Sequence, residues 1–247
     1  MNATSRWRRF VAARFDPKAY LGLHLTIGLV VATLGLWLFG ALLDAVLDNA
    51  TMVQWDAATD AWIHGRVTPV GLSVFDAITQ LGSPAAMGVL ALAGAFVLWR
   101  QRRRTTLIAW LAAFGGGVLL DEVIKLAVHR KRPVFGASYL HGHSYSFPSG
   151  HSMGSLIGYV MLLYLLRLHW HPHRVWRRLT AVAVGLMVLA VGVSRVYLGV
   201  HYPSDVVGGY AAGAAWLAVC LTGLSVVQGR GARRTLKEPE PAPGDAR

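Results

Sequence analysis

The chain has 247 residues, of which 54% are hydrophobic and 15% charged, and its mean hydropathy is +0.44. Because an average soluble protein is about 25% charged, these values favour a protein embedded in a bilayer over one or two soluble domains. The formal net charge of +12 could indicate nucleic-acid binding. It lies mostly in short clusters between apolar runs, with no zinc-finger spacing and no basic strand interleaved with aromatic residues, which argues against that class. The single cysteine, Cys220, excludes an intramolecular disulfide.

The N-terminal segment 1–19 is basic and precedes a long apolar run at 20–43. A secretory signal peptide also begins with basic residues. This run is too long for the hydrophobic region of a typical signal peptide, and no small-residue cleavage site clearly follows it. We therefore expect a retained membrane anchor behind a basic cytoplasmic N-terminus.

Six apolar runs approach the roughly 20 residues that a helix needs to cross a bilayer. The predicted fold is thus an all-α integral membrane protein, a bundle of six transmembrane helices within 20–227. The predicted spans are 20–43, 84–99, 105–127, 152–168, 179–196 and 205–227.

Two further segments have a different character. Residues 44–83 mix carboxylates with spaced apolar and aromatic residues, which is typical of amphipathic helices on a membrane surface, and we expect them at the outer face. Residues 228–247 are polar and rich in proline near the end, which predicts a disordered cytoplasmic tail.

The cations set the orientation. Eighteen of the 24 lysines and arginines lie before span one, between spans two and three, between spans four and five, or after span six. The positive-inside rule places these segments, and hence both termini, in the cytoplasm. The loop between spans three and four, on the outer side, nevertheless holds Arg130, Lys131 and Arg132. A functional demand for cations explains this exception.

Three short motifs lie at that outer side. They are Lys125 with Arg132-Pro133, then Pro148-Ser149-Gly150-His151, then Ser194-Arg195 with His201 and Asp205. Arginine forks and a lysine point charge match phosphate oxygens. Ser149 could cap the following helix or bind phosphate, and Gly150 at a helix start suits an anion. The seven-residue spacing puts Lys125 and Arg132 on one helix face, two turns apart, with the helix ending before Pro133.

A carboxylate four residues after a histidine can orient that histidine. Asp205 would hold one imidazole nitrogen of His201 and leave the other unprotonated to attack phosphorus, which is the logic of catalytic triads applied to a histidine nucleophile. His151 could protonate the departing oxygen and then activate water.

Together these motifs resemble those of the type 2 phosphatidic acid phosphatase (PAP2) family, and the likeness extends over about 20–227. The resemblance implies metal-independent phosphoester hydrolysis through a phosphohistidine on His201, with no cofactor and with His151 as general acid. It also implies a set of phosphate ligands: Lys125, Arg132, Ser149, Gly150 and Arg195.

Other interpretations stay open for some of these residues. Metal binding competes for His141, His143, His151 and His201, but the surrounding cations and the single carboxylate, Asp205, disfavour it. Asp121 and Glu122 precede Lys125 by one helical turn, and a structural ion pair with it is at least as good an explanation as a catalytic role.

The hypothesis is therefore a lipid phosphatase of the bacterial inner membrane, acting at the outer face, with no nucleic-acid partner. Undecaprenyl diphosphate is the preferred substrate. Phosphatidylglycerophosphate, phosphatidate and lipid A phosphates are alternatives. A lipid phosphotransferase using the same intermediate, a non-enzymatic anion-binding protein and a vanadium haloperoxidase are the competing functions; the membrane spans disfavour the last.

Overall fold

A computed structural model describes residues 20–48, 50–133, 135, 145–170 and 173–235. Over these ranges the chain forms helices and connecting turns and no strand. Segment 1–19 and the loop histidines His141 and His143 lie outside the described residues. The helices are α1 (Tyr20–Asp48), α2 (Ala50–His64), α3 (Pro69–Gln80), α4 (Pro84–Arg100), α5 (Arg104–Val128), α6 (Gly150–His169), α7 (Arg174–Tyr197) and α8 (Pro203–Thr235).

Six helical segments are long and apolar enough to span a bilayer, which confirms the predicted fold class. Large apolar side chains point away from the bundle, among them Trp37, Leu92 and Leu119, which are 70%, 74% and 66% exposed. Such an outer surface would be unstable in water and suits lipid. The protein is thus a multi-pass membrane protein. The spanning segments are 25–48, 69–100, 104–128, 150–169, 174–197 and 203–229.

The second span begins earlier than expected, because α3 and α4 join through a turn at 81–83 into one apolar stretch. Each of the two helices begins at a side-chain cap. The Thr68 hydroxyl accepts from the Gly71 N–H before α3, and the Ser83 hydroxyl accepts from the Ala86 N–H before α4. Helix α3 packs against α7, so part of the predicted surface segment 44–83 belongs to the bundle.

The prediction that Lys125 and Arg132 share a helix face is wrong. Helix α5 stops at Val128, and His129 takes a left-handed conformation with φ of 51°. Its N–H bonds to the carbonyl of Lys125 and closes the helix. Arg132 therefore reaches the site from the chain that follows the helix.

Helix α8 continues to Thr235, past residue 227, where the disordered tail was expected to begin. Residues 228–235 are helical, so that boundary was placed too early. Residues 236–247 lie outside the described part of the chain.

Helix α8 contacts α1, α5 and α6, and small residues let the helices approach. An added Cβ at Gly94 would lie 2.1 Å from the Trp110 ring, and one at Gly116 would lie 2.2 Å from the Trp216 ring. The Trp110 indole N–H donates to the Ala91 carbonyl at 2.8 Å. This packing brings the end of α5, the start of α6, the end of α7 and the start of α8 to one end of the bundle.

Candidate active site

A cavity of about 660 Å³ opens at that end of the bundle. Its lining includes six of the eight residues predicted for the site: Lys125, Arg132, Gly150, His151, Arg195 and His201. The other two, Ser149 and Asp205, are fully buried behind it. The structure therefore brings together three motifs that are spread over residues 125–205 of the sequence.

His201 is held between a carboxylate and a guanidinium. Its Nε2 lies 3.1 Å from the Arg132 Nη1, and its Nδ1 lies 3.5 Å from the Asp205 Oδ2. Since a guanidinium can only donate, Nε2 accepts and the ring proton sits on Nδ1, facing Asp205. The 3.5 Å separation is longer than an ordinary hydrogen bond. Burial lowers the pKa of His201 to about 4, and the nearby charge of Asp205 opposes part of this shift.

A turn fixes where His201 stands after α7. Gly199 has φ of +65°, a conformation that glycine adopts without strain. The N–H groups of Val200 and His201 then both point back to the carbonyl of Arg195, at 3.2 and 3.3 Å. The same backbone thus positions the arginine and the histidine of the third motif.

Asp205 is fully buried at the start of α8 and makes several hydrogen bonds. Its Oδ2 accepts from the Ser146 hydroxyl and, at 2.9 Å, from the Tyr202 N–H. Its Oδ1 accepts from Arg130. Its own carbonyl accepts from the Ser149 N–H at 2.9 Å, which joins the second motif to the third.

Lys125 is buried and its ammonium lies 2.5 Å from the Asp121 carboxylate and 3.7 Å from that of Glu122. This is the structural ion pair that was one of the two interpretations of the spacing. Gly150 makes room for it, since an added Cβ would lie 2.7 Å from the Asp121 Oδ2 and 3.1 Å from the Lys125 Nζ. The glycine is needed here for space.

Ser149 does not cap α6 with its side chain, in contrast to one of the two predictions for it. Its hydroxyl accepts from the Ser152 hydroxyl at 3.0 Å instead. Gly150 and His151 form the first turn of α6 and line the cavity. Backbone N–H groups in a first turn have no intrahelical partner, so this helix start can receive an anion.

Arg195 reaches the cavity from α7 and is anchored by α3. One guanidinium nitrogen donates to the Thr79 hydroxyl at 2.7 Å. Its Nε is buried without a hydrogen-bond partner among the described residues. Together with Lys125 and Arg132, Arg195 gives the cavity three cations.

Sequence reasoning missed three residues that support this site: Arg130, Asp56 and Thr79. Arg130 was noted only as one of the loop cations, and Asp56 only as one of several carboxylates in the segment 44–83. In the structure Arg130 bonds to both Asp205 and Asp56. The excess of cations in an outer loop was a signal for Arg130. The chain offered none for Asp56, which lies 74 residues from its partner.

Comparison with known proteins identifies the family. Residues 106–226 match the model of the PAP2 superfamily. Phosphatidylglycerophosphatase B of Bacillus subtilis is 34% identical over 180 residues, which cover 72% of this chain and 87% of that protein. The chain belongs to the PAP2 superfamily.

The solved structure of a transmembrane PAP2-type phosphatidylglycerolphosphate phosphatase from B. subtilis matches with a TM-score of 0.68 at 28% identity. It covers 84% of this chain and 99% of that one. An undecaprenyl-diphosphatase of Sulfolobus acidocaldarius is 32% identical over 130 residues, covering 50% of this chain and 57% of its own. As a PAP2 protein with such relatives, the chain is a lipid phosphatase, which confirms the predicted enzyme class and disfavours the non-enzymatic alternative.

Proposed function

We propose that this PAP2 protein hydrolyses a lipid phosphate through a phosphohistidine formed on His201. The observation that carries the proposal is the pair of contacts on this ring. Nδ1 faces the Asp205 carboxylate, and Nε2 accepts from Arg132 in the cavity. With a pKa near 4, His201 is neutral at pH 7 and keeps its lone pair on the nitrogen that faces the cavity.

The reaction would proceed in two steps. Nε2 of His201 attacks phosphorus, the bond from phosphorus to the lipid oxygen breaks, and His151 donates a proton to that oxygen. The ring becomes cationic while its Nδ1–H faces Asp205, whose charge stabilises it. Water, deprotonated by His151, then attacks phosphorus, and the bond from phosphorus to Nε2 breaks to release inorganic phosphate and neutral His201.

The phosphoryl oxygens would lie among Lys125, Arg132 and Arg195 and against the first turn of α6, with Gly150 at its start. These groups are aimed before the reaction begins, which is how electrostatic stabilisation lowers a barrier in a dry site. The fully buried Ser149 hydroxyl is the weakest of the predicted ligands, since the residue lies outside the cavity lining.

The lipid tail would occupy the other end of the cavity. There the lining is apolar and formed by α4 and α5, including Met87, Gly88, Phe114, Gly115 and Val118. This end lies along spanning segments, so a tail could enter sideways from the bilayer while the head group stays at the polar end.

The substrate is best sought first among glycerophospholipid monoesters. One relative, of which the alignment covers 87%, carries the name phosphatidylglycerophosphatase B. Undecaprenyl diphosphate, preferred from the sequence because of the inferred outer-facing site, is the second candidate and is supported by the name of a relative with smaller coverage. Both present a terminal phosphoryl group to the same cations.

Phosphate release by the purified protein in detergent tests this proposal. Phosphatidylglycerophosphate, undecaprenyl diphosphate and phosphatidate are compared with EDTA present, and His201→Ala is the control. We expect release that EDTA does not reduce and that the substitution abolishes. Rapid alkaline quenching with radiolabelled substrate should trap an acid-labile phosphoprotein. Wild-type rates in His201→Ala would refute the phosphohistidine route, and transfer to an added lipid alcohol would indicate the phosphotransferase.

We further propose that both termini face the cytoplasm of a bacterial cell and that the site faces outward across the inner membrane. In the described residues the arginines at the turn between α6 and α7 lie at the opposite end of the bundle from the site. A Cys220→Ser background allows single cysteines at the exposed positions Arg66 and Arg102. A membrane-impermeant maleimide should label Arg66→Cys in intact cells and Arg102→Cys only after lysis. The reverse pattern would invert the proposed orientation.

A further inference from the structure

A second, fully buried carboxylate lies behind the site. Asp56, on α2, is fully buried and so is Asp205, and Arg130 stands between them. One guanidinium nitrogen donates to Asp205 and, at 2.8 Å, to the Ser204 hydroxyl. The other donates to the Asp56 Oδ2 at 2.7 Å.

Further contacts hold this arrangement from several directions. The Ser204 hydroxyl donates to Asp56, and the Ser204 N–H donates to the Asp56 Oδ1 at 3.2 Å. The Arg130 guanidinium lies 4.4 Å from the centre of the Tyr202 ring, in range of a cation–π contact. The Arg130 carbonyl accepts from the Ser146 N–H at 2.8 Å. Arg130 is thus held both at its guanidinium group and at its main-chain carbonyl.

The charges suggest what the arrangement does. A buried carboxylate without a cation would take up a proton, so Arg130 keeps Asp205 ionised. If Arg130 were bound to Asp205 alone, however, it would neutralise the Asp205 carboxylate and weaken the attraction between that carboxylate and His201. Asp56 shares the cation, and the three side chains carry a net charge of −1. Asp205 thereby stays available to the ring as the ring gains positive charge.

We propose that Arg130, shared with Asp56, is a positioning residue that fixes the Asp205 carboxylate toward His201 and leaves it enough negative charge to stabilise that ring. This inference rests on the proposed role of His201 as nucleophile. Neither Arg130 nor Asp56 lines the cavity, so both act through Asp205. The segment before the second span, expected to lie on the membrane surface, thus contributes directly to the support of the catalytic pair.

A double-mutant cycle tests the proposal. Arg130→Lys keeps a cation that cannot bridge two carboxylates, and Asp56→Asn keeps the shape but not the charge. Each should lower kcat about 10- to 100-fold, by analogy with the loss of a partner that orients a metal ligand, and leave KM within about twofold. In an Asp205→Asn background the same changes should cost less than about twofold, because the carboxylate through which they act is gone.

Controls separate this role from a purely structural one. Arg66→Ala and Asp48→Asn alter an exposed cation and an exposed carboxylate, and both should keep wild-type kcat. Thermal unfolding and gel filtration give the folded fraction, and rates are expressed per folded protein. If Arg130→Lys does not fold, the Asp56→Asn cycle gives the same comparison.

Two results would overturn the inference. One is wild-type kcat in folded Arg130→Lys and Asp56→Asn; the other is an equal cost in both backgrounds. The His201→Ala control is separate: if it retains activity, the phosphohistidine proposal fails, while the coupling between Arg130 and Asp205 is still read from the cycle.

Discussion

The two ends of the cavity are built in opposite ways. At the polar end the charged groups are held in place by hydrogen bonds and ion pairs, as Asp205 is by Ser146, Tyr202 and Arg130. At the apolar end two glycines, Gly88 and Gly115, line the wall, and an added Cβ at either would meet nothing within 4 Å. The polar end is held rigid by hydrogen bonds and ion pairs, whereas the apolar end is open space between helices.

From this difference we expect the two ends of the cavity to differ in substrate selectivity. A fixed charge array tolerates little change in the group that it binds, because a misplaced ion costs much in a dry site. An apolar wall discriminates weakly between hydrocarbon chains, since one methylene is worth only about 1–3 kcal/mol. The enzyme should be strict about the phosphoryl group and permissive about the lipid that carries it.

The largest expected effect comes from the polar end. Asp205→Asn should lower kcat by about 10³- to 10⁴-fold, as the loss of an orienting carboxylate does in a catalytic triad, with a small change in KM. Steady-state kinetics on folded protein measure it, with Asp48→Asn as the exposed control. A loss below about tenfold would mean that this carboxylate is dispensable, and the comparison between the two ends would fail.

Gly150→Ala should have the next largest effect. Its Cβ would collide with the Asp121–Lys125 pair, so the lysine must move away from the phosphate site. We expect kcat/KM to fall about 10- to 100-fold, equivalent to about 1.4–2.7 kcal/mol. Gly185→Ala is the matched control, since nothing lies within 4 Å of its added Cβ on α7. Equal activities of the two variants would contradict the crowding that the structure predicts.

Substitutions at the apolar end of the cavity should change activity only through their effect on binding of the lipid tail. Gly115→Leu fills space in the cavity without a backbone clash, so long-chain substrates should lose about tenfold in kcat/KM, a difference of about 1.4 kcal/mol. A dioctanoyl analogue should lose less than about twofold, and Gly185→Leu should change neither. Equal losses on long and short chains would place the lipid tail elsewhere.

The smallest effect is on pH dependence. Burial depresses the pKa of His201 to about 4, so its reactive neutral form persists as pH falls from 7 to 5. Once substrate ionisation is subtracted, the acid limb of kcat/KM should lie near 4 and not near the ordinary value of 6.5. Asp205 raises this pKa, so Asp205→Asn should shift the limb further down. A limb near 6.5 in the wild type would contradict the burial of the ring.

Much of the molecule could be read from the sequence, because hydrophobic runs and short motifs are local signals. The six spans, the grouping of the motifs and the Asp121–Lys125 pair depend on residues that are near in sequence or on helix direction. The end of α5 was misjudged because His129 adopts φ of 51°, which its residue type does not announce. Asp56 and Thr79 were missed as members of the site because their partners are 74 and 116 residues away.

Helices α2 and α3 belong to the part of the chain that must be kept intact when the active site is engineered. The family pattern begins at residue 106. Two residues upstream of it nevertheless accept hydrogen bonds from arginines of the site: Asp56 from Arg130 and Thr79 from Arg195. A transplant limited to the recognised pattern would carry the reacting groups and leave behind two of their anchors. Any minimal version of this enzyme should therefore begin before Ala50, and chimeras between relatives should exchange the upstream helices together with the motifs.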